Sequence, residues 1–126
     1  MSERYKYHRL TGEEKAKLVK VIREVLEGYG VELAIIFGSF VELESFRDID
    51  IAIYKPNLDL NDVLRLSIEL EEKLGIPVDV IPITEVNPQF RIRILARGLI
   101  VLEKAGVYEY MLMRAFDESM LMEKSR

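Results

Sequence analysis

The segment Asp48-Ile49-Asp50-Ile51-Ala52-Ile53-Tyr54 alternates with period two, and eight residues separate it from an earlier Gly38-Ser39. Alternation places the carboxylates of Asp48 and Asp50 on one face of a strand, while Ile49, Ile51 and Ile53 fill the other. Lys55-Pro56-Asn57 stops the strand. Upstream, Val31 to Phe37 is a dense run of Val, Leu and Ile bounded by Gly30 and Gly38, which predicts a buried strand ending at Gly38-Ser39. Downstream, Leu60, Val63, Leu64, Ser67, Leu70 and Leu74 recur at helical spacing, with Asp59 or Asn61 as cap and Gly75 as stop. Pro77 then leads into a third strand, Val78 to Ile83.

The flanks follow the same logic. Thr11 with Glu14 three positions on is a capping box, and Leu18, Val21, Ile22, Val25 and Leu26 continue as an amphipathic helix up to Gly28. Asn87-Pro88 reads as an N-cap with proline in the first turn, Gly98 ends that helix, and Leu99 to Leu102 form a short fourth strand. From Val107 a last helix is apolar on nearly every side: Tyr108, Tyr110, Met111, Leu112, Met113, Ala115, Phe116, Met120, Leu121 and Met122. A helix of that kind has to be covered, and Met-rich surfaces suit adaptable contacts, so residues 107–126 are read as an interaction helix. Residues 1–10 read as a loosely held arm in which His8 is a surface side chain rather than a ligand. The sum is one α/β (α+β) domain over residues 1–126, with about four strands and about four helices.

Composition narrows the chemistry. The chain has no cysteine, which removes disulfides, thiolate zinc sites and cysteine nucleophiles, so any metal must sit on oxygen. The formal charge of −4 gives no broad cationic surface for a nucleic-acid backbone, so nucleic acid is not read as a primary partner. No apolar run approaches the roughly 20 residues that span a bilayer, and the first residues lack the apolar core of a secretory signal, so no membrane is implied and the reading is cytoplasmic. Gln89 is the sole glutamine amid abundant Glu and Lys, a bias shared with proteins from hot environments.

Two anions side by side on a strand repel by several kcal/mol as an upper-range estimate, so the Asp48–Asp50 pair requires a cation or protons. Oxygen ligands without thiols point to Mg²⁺ or Mn²⁺. Asp79, in the apolar Val78-Asp79-Val80-Ile81, is expensive there unless it joins the same cluster. Three convergent carboxylates can hold two metal ions, the arrangement that serves phosphoryl and nucleotidyl transfer. The glycine of Gly38-Ser39 permits close backbone approach, and a helical turn starting at Ser39 would offer hydroxyl and amide donors to phosphate oxygens.

The compound pattern of strand, Gly38-Ser39, Asp48-x-Asp50, helix and strand with Asp79 resembles the DNA polymerase β-like nucleotidyltransferases, specifically the minimal nucleotidyltransferase (MNT) members, from about Leu18 to Leu121. That resemblance implies a mixed, palm-like sheet. It also implies that Gly38 and Ser39 bind ATP, that Asp48, Asp50 and Asp79 hold two Mg²⁺, and that Asp79 serves as general base. Many such proteins are antitoxins paired with a HEPN ribonuclease toxin, so the resemblance implies AMP transfer from ATP to a tyrosine of that toxin. The segment Arg97-Gly98-Leu99-Ile100-Val101-Leu102-Glu103 followed by a helix looks like these antitoxins too. The chain departs from the family in the Phe40 to Arg47 segment, which is about two residues shorter than the commonest form and lacks its Arg-Gly pair. Glu42 and Glu44 bring negative charge there, leaving Arg47, assigned to nucleotide binding, with Arg91 and Arg93 as replacements, each otherwise a surface residue.

Two other readings stand beside this one. The chain could act as a binding module that covers a toxin with weak or absent catalysis, or its last helix could join a homodimer. Transfer to a small molecule such as an aminoglycoside is a third reading, although enzymes of that kind generally carry a further substrate domain.

Overall fold

The computed structural model describes residues 6–124. Its element order is β1 (His8–Arg9), α1 (Gly12–Gly28), β2 (Leu33–Phe37), α2 (Ser39–Glu42), β3 (Ser45–Phe46), β4 (Ile49–Tyr54), α3 (Leu60–Leu74), β5 (Val78–Pro82), α4 (Pro88–Arg97), β6 (Leu99–Glu103) and α5 (Val107–Lys124), with a 3-10 turn at Ile83–Glu85. The four predicted strands form one sheet in the order β5-β4-β2-β6. β2 runs antiparallel to β4 and β6, while β4 and β5 are parallel, so the sheet is mixed. The parallel pair requires a crossover, and α3 supplies it.

Local chemistry accounts for the boundaries. Thr11 and Glu14 form the reciprocal capping box of α1, and Asp59, not Asn61, caps α3 in a second box with Asp62. Gly75 closes α3 in the left-handed region, at φ +69°. Asn87 caps α4 through the Gln89 amide, with Pro88 as its first residue. The fifth helix relative to the expected four is α2, a single turn following Gly38.

Each face of the sheet carries its own core. Ala34, Ile36, Ile49, Ile51, Ile53, Val78 and Val80 pack with Ile22, Val25 and Leu26 of α1 and Leu66 and Leu70 of α3. Leu33, Ile35 and Ala52 face Ile94 and Leu95 of α4 and Met111 and Ala115 of α5. Burial on both faces explains why β2 reads as a continuous apolar run. Gly98 allows the tight join of α4 to β6, since a Cβ there would lie within 2.7 Å of the Ile94 carbonyl oxygen and closer still to Ile35.

Three readings of the sequence change. Of the arm, residues 1–5 lie outside the described residues, whereas His8 and Arg9 pair antiparallel with Phe46 and Ser45. α5 divides into an inner side, with Met111 and Ala115 in the core, and an outer side where Tyr110, Met113, Phe116 and Met120 are half exposed or more. Arg91 is not a surface residue. It is 3% exposed, and its guanidinium donates to Glu118 Oε2 at 2.8 Å and to the carbonyls of Val86 at 2.8 Å and Thr84 at 3.1 Å. A buried cation persists only with partners of this kind, so Arg91 ties α4 to α5 and to the 3-10 turn. Arg91→Ala should lower stability by about 2–4 kcal/mol, read as an earlier midpoint in urea unfolding, because it removes a charge-assisted bond and leaves two carbonyls unpaired.

Candidate active site

The site stands where the second face of the sheet ends. Asp50 lies opposite Phe37 of β2 on one side and opposite Asp79 of β5 on the other. Cross-strand partners share a face, so Asp79 projects beside Asp50, while Asp48 precedes β4 two residues away on that side. Burial is what most raises the Asp50 carboxyl, to about 6, followed by the like charges of Asp48 and then Asp79. Among the described residues no Lys, Arg or His pairs with any of the three. Nor do they close into a ready-made cage, for among the described residues no group of three metal-ligating side chains converges on one point.

The turn above them is shaped around Asp50. Gly38 holds φ +82°, and a Cβ on it would sit 2.7 Å from Asp50 Oδ2. Glycine is required twice over here, for the backbone angle and for the carboxylate's space. The short Phe40–Arg47 connection is braced from beneath: Phe40 and Phe46 are buried with ring centroids 4.9 Å apart, and Lys15 Nζ donates to the Phe40 carbonyl at 2.7 Å. Glu44 turns outward to Arg9, whereas Glu42 lines the cavity beside the site.

That cavity, about 290 Å³, is bounded by Phe37, Gly38, Val41, Glu42 and Asp50 on the sheet side and by Phe90, Arg93, Ile94, Arg97 and Gly98 on the α4 side. Of the arginines singled out from the sequence, only Arg93 reaches it; Arg47 lies over the Tyr7 ring at 5.4 Å, and Arg91 is buried elsewhere. Arg97 was missed, although it is four residues from Arg93 and therefore on the same helical face. Asp48, Ser39 and Asp79 are outside the lining, with Asp48 and Asp79 exposed.

The sequence profile described as "Polymerase beta, Nucleotidyltransferase" matches residues 20–106. The chain belongs to the polymerase beta nucleotidyltransferase family. This nucleotidyltransferase is 37% identical over 89 residues to a Methanocaldococcus jannaschii protein named "putative protein adenylyltransferase", an alignment covering 68% of this chain and 96% of that one. Its fold is similar to that of a chain in the structure of the tri-AMPylated HEPN toxin of Shewanella oneidensis in complex with MNT antitoxin, at TM-score 0.74 and 18% identity over 89% of this chain and 92% of the other. A chain of the toxin–antitoxin pair MntA-HepT is similar at TM-score 0.73 and 18% identity, over 88% and 92% of the two chains. No helix among the described residues of this nucleotidyltransferase is long and apolar enough to cross a membrane.

Two outcomes follow for the site. With the Asp50 carboxyl at about 6 in the fold against 3.8 unfolded, the folded state binds the extra proton between those values. The stability this supplies is full at low pH and lost as pH rises through about 6, by roughly 1–2 kcal/mol after solvent screening. Metal-free protein titrated by urea unfolding should show that fall, and Asp50→Asn should flatten it. Gly38→Ala should cost about 1–3 kcal/mol through the strained angle and displace Asp50, measurable as a lower thermal midpoint.

Proposed function

We propose that this nucleotidyltransferase transfers AMP from ATP to a hydroxyl on a protein, the acceptor being a tyrosine of a HEPN-type toxin for which it is the antitoxin. The observation that carries the proposal is the run of like charges, Asp48, Asp50 and Asp79, on one face beside the Gly38 turn, with Asp50 raised to about 6 first by burial and then by its two acidic neighbours. The relative's adenylyltransferase name and the likeness in fold to antitoxin chains support the choice of AMP and of a protein acceptor.

The donor set fits a divalent cation. It consists of carboxylate oxygens alone, repelling one another and unneutralised among the described residues. Magnesium is typically bound by one or two carboxylates together with substrate phosphates and water, so an all-protein cage is not required. Asp48, Asp50 and Asp79 would hold the two ions, Mg²⁺ or Mn²⁺, which supply Lewis-acid stabilisation of the charge on the phosphates.

The chain's own groups then have distinct parts. Gly38 clears the space through which the phosphates approach Asp50, and Ser39 offers its hydroxyl and amide at the start of α2. Arg47, beside Asp48, is a further candidate for phosphate contact. Asp79, exposed at the edge of the sheet, accepts the proton of the tyrosine hydroxyl. The oxygen attacks the α-phosphorus, the bond from that phosphorus to the bridging oxygen breaks, and pyrophosphate leaves with the electron pair.

One observation favours a second reading, that of a binding module. Tyr110, Met113, Phe116 and Met120 recur every three or four residues along α5 on the side away from Met111 and Ala115. Deleting the helix would also strip Met111 and Ala115 from the core, so surface substitutions are the cleaner probe.

Asp50→Asn should reduce transfer of labelled AMP from ATP to the partner toxin by at least about a hundredfold while the fold persists. Undiminished labelling would refute the mechanism. Met113→Glu with Phe116→Glu should abolish the complex with the toxin in size-exclusion chromatography, whereas loss only of a self-associated species would assign the stripe to a homodimer.

A further inference from the structure

The geometry points to Arg93 and Arg97 as the residues that bind the polyphosphate tail of the nucleotide. This rests on the nucleotidyl-transfer reading and adds to it two residues that neither the Gly-Ser turn nor the acidic strand positions include. Both line the cavity that also holds Gly38 and Asp50, and they enter from the opposite wall. Both are exposed, and among the described residues neither makes an ion pair or a side-chain hydrogen bond. The arginines at 9, 23, 91 and 114, by contrast, each have a carboxylate partner.

Two unpaired guanidinium groups facing one cavity make an anion site, and their planar donor forks suit phosphate oxygens. The remainder of the lining is apolar, from Phe37, Val41, Phe90 and Ile94, apart from the two acids Asp50 and Glu42. A triphosphate brought to Asp50 therefore meets repulsion on the sheet side and finds its compensating protein charge on α4. Proximity to the helix C-terminus could account for Arg97 alone, since cations are favoured there, but Arg93 sits a turn earlier. α4 cannot rotate to hide them, because Ile94 and Leu95 are in the core and Arg91 is fastened to Glu118.

The test uses the full chain with Mg²⁺ and measures binding of ATP and of AMP by calorimetry, for the unaltered protein and for Arg93→Gln with Arg97→Gln. We expect ATP to bind at least about tenfold more weakly to the double variant, AMP to bind within about twofold of the unaltered protein, and the thermal midpoint to hold. Lys at both positions should recover part of the ATP affinity. Unchanged ATP affinity overturns the inference, and so does an equal loss for ATP and AMP, which would put the arginines on the nucleoside. Intact ATP binding with lost labelling of the protein acceptor also overturns it, assigning the pair to the acceptor. Failure of the unaltered chain to bind ATP at all would instead bring down the nucleotidyl-transfer reading itself.

Discussion

The register of β4 against β5 is the constraint on which the site depends. Asp50 pairs with Asp79, Ile49 with Val78 and Ile51 with Val80. A slip of one residue would turn Asp79 toward α1 and α3, into the cluster that holds Val78 and Val80, and bury an unpaired carboxylate among aliphatic side chains. The crossover keeps that from happening: α3 has a capping box at one end and a left-handed glycine at the other, so both of its junctions are fixed. The price of correct register is three like charges at one edge, and Asp50, between Phe37 and Asp79, bears most of it.

Around that edge the structure makes room rather than neutralising charge. Gly38 leaves the volume next to Asp50 Oδ2 open, and the short connection to Asp48 stays clear because Phe40 and Phe46 are drawn down into the core under Lys15. β1 pairs with β3 and Arg9 takes Glu44, so one of the two acids in this connection faces away. Glu42 remains in the cavity, and the positive side chains that answer it come from α4 rather than from the connection itself.

Much of this was legible in the sequence because its signals are local. Alternation from Asp48 to Tyr54, the Thr11–Glu14 box, and Asn87-Pro88 each determine their element within a few residues and appear where the chain predicts them, while of the two caps offered for α3 the structure uses Asp59. The central Asp79 pointed to Asp50 because an acid in an apolar strand needs a reason. Long-range partners were not legible. Arg91 looks like any exposed arginine until α5 brings Glu118, 27 residues away, against it. Arg97 was hidden by position, since a cation at a helix end has a sufficient local explanation; its spacing from Phe90 and Arg93 was the signal available. In α5, Met and aromatic residues occupy the inner and outer sides alike, so periodicity could not tell core from surface.

α4 joins the two halves of the molecule's chemistry. One side of it lines the cavity with Phe90, Arg93 and Arg97, and another is bound to α5 through Arg91 and through the hydroxyl of Tyr108, which donates to the Leu95 carbonyl at 2.7 Å. The outer stripe of α5 is thus presented by a helix whose inner side is pinned to the wall of the site. A protein held on that stripe and a nucleotide held in the cavity would be positioned by the same short, well-anchored helix. The enzyme and binding-module readings therefore make compatible demands on the fold: contact along α5 would fix where an acceptor sits relative to Asp50, and in proteins a fixed near-attack geometry is itself a large part of rate enhancement.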